Sequence, residues 1–478
     1  MRFSQHFKLG KKQQELDFVD IRLDTDLPLF LDPYAISKRE DLFSQECDGI
    51  IVNYFQQIID DIKDGNLDKA KANLNKLREP NETHLGLSSK RSQGKGVSGK
   101  QSVDVFDALK ESRAVQTGFL KDLSGCELVI PGISKDKISD IVTNIIKVKL
   151  FEYTEQQCRS YNIPTTKVSS GLFWNPEKSS WDELFINLPI YKQSRIILVP
   201  KAIVRLSIEF NHSKYYNGFV LEYLQAENLS ANTALVTLLK NGDAVVYKKD
   251  LKEKPEYKLS KEFLYSFSKD HPEVMQEYID SLPESISSLT DDEIEEKQPQ
   301  PVKFNYSDLK AQLSAIPSGK KNEDDYHNLM IGIVSAIFYP NLVIPTKEEK
   351  NHEGRKRIDI TYQNAAKTGF FEFLSNHVSC PFIIVECKNY ENDPANPELD
   401  QLTGRFSPRR GQFGILLCRT VKDKSLMEMR CRDSADDGRG YVVVLDDEDI
   451  YLLIDMKLEN NYAKIDEFFQ EKYKRLVM

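Results

Sequence analysis

The chain has 478 residues and a mass of 55.0 kDa, of which 40% are apolar, 10% aromatic and 29% charged. That composition supplies ample core material and excludes a disordered chain, and at roughly 150 residues per domain the length predicts about two to four domains. With 65 basic and 74 acidic residues the net charge is −9, so any nucleic-acid surface has to be a local basic patch on an acidic body.

The opening MRFSQHFKLGKKQQ lacks the apolar core of a signal peptide, and a cytoplasmic protein is expected. Alternation through Leu16 to Pro33 predicts strands ending in a proline-marked turn. Between Gly49 and Lys63, residues Ile51, Tyr54, Phe55, Ile58, Ile59 and Ile62 recur at helical spacing. The Ser/Gly/Lys-rich stretch Ser88 to Ser102 reads as a basic loop. Within it Gly94, Gly99 and Lys100 approach P-loop spacing. Gln101 stands where a Mg²⁺-binding Ser or Thr is required, however, and no apolar strand precedes, so a flexible or DNA-touching loop is preferred. Helices are expected at Val103–Arg113 and Ile138–Tyr153, strands at Arg195–Val199 and Asp243–Tyr247, and a charged helix at Lys261–Leu282 suited to packing or an oligomer contact. Asp136 is expected to serve a helix dipole and Asp140 to be solvated, and Tyr153, Tyr161, Trp174 and Trp181 to be core or interface residues. The greasiest run, Ile196 to Val204, is broken by Pro200 and Lys201 and falls short of the roughly 18 residues that span a bilayer, so no membrane contact is expected. Dispersed cysteines and histidines predict reduced thiols and no zinc site.

Ser285 to Pro301 is acidic, has few apolar residues and carries prolines, which marks it as the best domain boundary. The expected organisation is a recognition, regulatory or assembly region over 1–284, with a subdomain split near 88–102, a linker over 285–302 and a hydrolytic domain over 303–478. In that last segment a helix is expected from Glu323 to Phe338, strands at Arg357–Thr361 and Phe382–Lys388, and a short helix near Gly369–Leu374. A helix near Leu399–Arg405 and strands at Phe413–Cys418 and Tyr441–Leu445 follow. The alternation argues an α/β fold with a mixed sheet flanked by helices, joined to a larger mixed α+β region.

Chemistry concentrates in RIDI and IVECKNY. A strand has a side-chain period of two, so Glu386 and Lys388 share a face that Cys387 does not. Asp359 sits in an otherwise apolar strand, where an isolated carboxylate is expensive to bury. If the two strands are neighbours, Asp359, Glu386 and Lys388 converge at one sheet edge. Two carboxylates and the Cys387 carbonyl are then a ligand set for Mg²⁺, with Mn²⁺ as a substitute, and Lys388 is placed to orient or deprotonate a water. The bland alternative is a surface ion pair between Glu386 and Lys388 with a structural hydrogen bond at Asp359.

These residues resemble the catalytic core of the PD-(D/E)XK nuclease superfamily, the restriction-endonuclease-like fold, over about Glu323 to Leu445. The E-x-K half, Glu386-Cys387-Lys388, matches, whereas Ile358 stands where the name has proline. The resemblance implies an auxiliary acidic residue on the preceding helix, filled by Glu323 with Asp324 and Asp325 as competitors. In Mrr-like branches it also implies a glutamine on the following helix, filled by Gln401. It further implies a Mg²⁺-dependent endonuclease, with DNA the expected substrate and RNA not excluded. Alternatives are a degenerate nuclease fold kept for binding or assembly, and an unrelated enzyme in the N-terminal region. Arg355, Lys356 and Arg357 before the Asp359 strand, and Arg405, Arg409 and Arg410 after Gln401, are the expected phosphate contacts, with Arg419, Arg430 and Arg432 continuing the trend. A homodimer or larger homo-oligomer is expected because double-strand cleavage commonly needs two sites. By analogy of architecture, bacterial anti-phage defence or restriction is the expected setting, with room for a regulatory protein partner.

Overall fold

The computed structural model describes residues 1–87, 106–107, 135–207, 211–283, 286–351 and 356–478. The basic loop with its P-loop-like spacing, and most of the helix expected at Val103–Arg113, lie outside them. One apolar cluster gathers buried side chains from Phe3 to Ile294 together with Tyr339, Val343 and Ile344, and a second gathers others from Leu309 to Leu476.

The N-terminal core is built round the helix Leu42–Lys63, whose Asp41 cap accepts from the Ser44 amide at 3.0 Å. Its apolar stripe, including Ile51, Tyr54, Phe55 and Ile58, packs on the helices Lys135–Ile145 and Lys147–Ser160, which meet at Ile146. Trp174 is buried against Tyr54 and donates to Asn53 at 2.8 Å, so it is a core residue, as is Tyr153, which donates to Asp17 at 2.8 Å. The alternating stretch after Leu16 forms only the two-residue strand Phe30–Leu31. Side chains replace a ladder there: Gln13 accepts from the Asp20 amide at 2.8 Å and donates to the Phe18 carbonyl at 3.1 Å. Ile196 to Val199 are likewise buried without forming a strand, their amides bonding to the Pro189 and Glu82 carbonyls and the Thr154 hydroxyl. The helix expected over Lys261–Leu282 is two, Lys261–Asp270 and Pro272–Asp280, because Pro272 removes an amide donor and starts the second. Asp140 is half-buried and not solvated. Burial, with Asp136 and Glu79 beside it, raises its carboxyl to about 8.

The acidic stretch is folded onto the N-terminal core. Thr290 and Glu293 form a reciprocal cap on the helix Asp291–Glu295. Glu295 pairs with the Arg2 guanidinium through contacts of 2.8 and 2.6 Å, and the buried Lys201 ammonium meets Asp291 at 2.7 Å. Two of the carboxylates that read as a solvated linker, Asp291 and Glu295, are therefore each paired with a cation.

The C-terminal unit comprises α1 (Glu323–Phe338), β1 (Leu342–Asn351), β2 (Lys356–Asn364), α2 (Gly369–Val378), β3 (Phe382–Lys388) and α3 (Asn396–Thr403). It continues with β4 (Phe413–Cys418), α4 (Lys424–Asp436), β5 (Tyr441–Leu445), α5 (Asp447–Leu458) and α6 (Tyr462–Val477). The sheet order is β1-β2-β3-β4-β5, antiparallel across the first two junctions and parallel across the last two. The fold is thus mixed, with α3 and α4 as the crossovers that parallel strands require. Near-continuous apolar runs in β3 and β4 fit strands buried on both faces. Among the described residues no helix is long and apolar enough to cross a membrane.

Candidate functional site

Strands β2 and β3 pair with Ile360 opposite Val385 and Thr361 opposite Ile384. The ladder pairing ends at Ile360; carried one step further, the same register would bring Asp359 opposite Glu386, and directly opposed residues of an antiparallel pair project from the same face. The Asp359 carboxylate accepts from the Cys387 amide at 3.0 Å, so it reaches across to β3 at the point where its strand leaves the ladder.

Glu386 has no solvent exposure and Lys388 is 6% exposed. The Lys388 ammonium donates to Glu386 Oε1 at 2.8 Å and to Gln401 Oε1 at 3.2 Å. Gln401 reaches it from α3, the helix that follows β3 in sequence. Glu386 Oε2 contacts Arg405 Nη1, and neither atom makes a hydrogen bond elsewhere among the described residues. Arg405, expected as a phosphate contact, follows the C-terminus of α3 and is turned inward at 5% exposure. Burial pushes its guanidinium below the usual range, and the Asp359 carboxylate is the charge that opposes this.

Sequence reasoning missed His327. Its Nε2 lies 3.2 Å from the Cys387 carbonyl, 3.9 Å from Asp359 and 4.0 Å from Glu323. The available signal was its position one turn after Glu323, on the same face of α1. Glu323 is half-buried beside His327, whereas Asp324 and Asp325 are exposed, so Glu323 is the acidic residue turned towards the sheet. The register of α1 is set by Asn389, just past β3, whose side chain donates to the Pro317 and Gly319 carbonyls at 3.1 and 2.9 Å.

Arg355 lies outside the described residues, and Lys356 and Arg357 are placed by backbone alone at the start of β2. Arg409 is exposed, and Arg410 donates to the Arg405 carbonyl at 3.0 Å. Arg419 is tied to Asp447 at 2.9 Å and to the Ile316 carbonyl at 2.7 Å, Arg430 to the Pro394 carbonyl and Arg432 to the Arg475 carbonyl. Each of these last three is tied to a backbone carbonyl of the chain.

Among the described residues no three His, Cys, Asp or Glu groups stand together with the spacing of a metal site. What the site offers a divalent cation is smaller: the carboxylates of Asp359 and Glu386 and the Cys387 carbonyl, all hard oxygen donors. Both carboxylates face one shared positive charge, the Arg405 guanidinium. That donor chemistry fits Mg²⁺, which keeps several waters and is commonly held by one or two carboxylates.

A family model described as a domain of unknown function, DUF8370, matches residues 8–211, a range that includes none of these residues. No curated protein and no solved structure matches the chain.

Proposed function

We propose that the chain is a metal-dependent endonuclease that hydrolyses phosphodiester bonds of DNA, with its active site at Asp359, Glu386 and Lys388. The observation that carries this reading is the β2–β3 register, which carried one step on would bring Asp359 opposite Glu386, with Lys388 held between Glu386 and Gln401. It is joined by the resemblance of the E-x-K strand to the PD-(D/E)XK superfamily. Asp359, Glu386 and the Cys387 carbonyl would hold Mg²⁺ or Mn²⁺. When bound, such an ion supplies neutralisation of charge on the phosphate under attack.

The chain's own groups divide the remaining work. Lys388, its ammonium fixed by two oxygen acceptors, orients the attacking water. Gln401 holds that amine in place from α3. Glu323 acts through His327 as an auxiliary acidic group, and exposed Arg409 contributes to phosphate binding at the mouth. A cytoplasmic role in bacterial defence against foreign DNA, as a homo-oligomer, completes the proposal. A non-catalytic nucleic-acid-binding role is the second reading, favoured by the pairing of Glu386 with two protein cations.

Supercoiled plasmid incubated with the full chain and Mg²⁺ or Mn²⁺ tests the choice. Cleavage that stops with chelator, and that falls about a hundredfold or more in Lys388→Ala while the fold persists, supports the nuclease. Absence of cleavage of DNA and RNA with either ion, alongside salt-sensitive binding, supports the second reading instead.

A further inference from the structure

A buried guanidinium set against a buried carboxylate occupies the position of a counter-ion. Arg405 is 5% exposed and its Nη1 contacts Oε2 of the fully buried Glu386. Lys388 takes only the other oxygen of Glu386, so Oε2 is left to Arg405. Among the described residues Nη1 has no hydrogen-bond acceptor besides that oxygen, and the oxygen has no other donor. Its attachment point is the short stretch between α3 and the turn closed by Ser407 and Gly411, whose exposed Arg409 faces solvent.

We propose that Arg405 is the internal counter-cation of this site: its guanidinium occupies the Glu386 oxygen that a divalent cation takes, and loading the ion is an exchange that passes the guanidinium to a nucleic-acid phosphate. This rests on the cation-dependent reading given above. The exchange keeps charge balanced around a carboxylate that water does not reach, and it avoids leaving Glu386 buried and unpaired at any stage. It also links the two ligands. A phosphate that takes the guanidinium vacates the cation position, and an ion that takes the carboxylates frees the guanidinium for phosphate, so each tightens the other by the same factor.

Mn²⁺ affinity of the intact chain, read from the free-ion paramagnetic signal, is the test. A site closed about 90% of the time loses roughly tenfold in apparent affinity, so Arg405→Ala and the volume-preserving Arg405→Gln are expected to bind Mn²⁺ about tenfold tighter than wild type. In a Lys388→Ala background, which keeps the nucleic acid intact, a short DNA duplex is expected to tighten Mn²⁺ binding when Arg405 is present and to have no such effect in the Arg405→Ala double variant. Far-UV circular dichroism establishes that each variant folds. If wild type binds Mn²⁺ but both folded Arg405 variants bind it no more tightly, the exchange is overturned while the nuclease reading stands. If no form binds Mn²⁺ with or without duplex, the cation-dependent reading falls and the exchange falls with it.

Discussion

Glu386 is fully buried, and Lys388 and Arg405 each bring a positive charge to one of its oxygens. A contrasting carboxyl is Asp140, which has acidic neighbours in Asp136, Glu79 and Asp26 and is raised by burial to about 8. Because its folded value lies above its unfolded one, the stability it contributes is complete below about pH 4 and is lost as pH rises through 8. Asp17, Asp20 and Asp26, each raised to about 6, act in the same direction over a lower window. Asp140→Asn should therefore flatten the decline of stability between pH 6 and 8 and exceed wild type by at least about 1 kcal/mol at pH 8.5. Urea melts across that range check this, and an unchanged slope would remove Asp140 from the account. The acid pair and the lysine were legible at this scale because a polar residue inside an apolar strand needs a reason. His327 was not, since its place one turn after Glu323 gains meaning only when α1 is laid against β3. The inward turn of Arg405 was hidden for a related reason: its burial depends on the turn after α3 and on the partner it finds at β3.

Among the elements, β2 and β3 were readable from apolar runs that end in charge, and β4 and β5 from short β-branched and aliphatic runs. Strand β1 escaped notice because Pro345 interrupts its apolar start and Lys347 to Lys350 are all polar or charged; its existence depends on the ladder that β2 offers it. In the N-terminal region, alternation marked the buried segments correctly but not their hydrogen bonds, which side chains such as Gln13 provide. The turn at Ser407–Gly411 shows how one backbone position fixes an element's path. Gly411 has φ +112°, and a Cβ there would lie 2.9 Å from the Cys380 Cα. Gly411→Ala should lower stability by more than about 1 kcal/mol, visible as a reduced urea midpoint, because both the left-handed backbone and the neighbouring chain oppose it. A variant as stable as wild type would show that the turn relaxes freely.

For the whole molecule, the two apolar clusters are in contact, and the boundary between them is not a free hinge. Tyr339, Val343 and Ile344, which belong in sequence to the C-terminal unit, are buried in the N-terminal cluster. The Tyr339 hydroxyl donates to the Leu289 carbonyl at 2.8 Å, and the Arg2–Glu295 and Lys201–Asp291 pairs fix the acidic stretch on the far side of the boundary. Composition could mark where one core gives way to the other, yet not how tightly they join, because that depends on individual charge partners distant in sequence. Residues 303–478 expressed alone should consequently melt below the intact chain and bind a hydrophobic dye through the uncovered Tyr339, Val343 and Ile344. Equal melting temperatures and no dye binding would argue that the two units are energetically independent.

The bulge in β1 has a wider consequence. Between Val343 and Thr346 the pairing with β2 shifts, and Ile344, a branched residue at φ +51°, donates its amide to the buried Asp17 carboxylate at 3.1 Å, while Gln157 donates to the Pro345 carbonyl at 3.2 Å. Sliding β1 by one residue would reverse its faces and carry Lys347 away from its 2.9 Å bond with Asn328 on α1. The N-terminal body thereby acts as a register pin for the sheet: it clasps the outermost strand at its one irregular point, and every strand inward, including the pair that carries Asp359 and Glu386, is indexed from there.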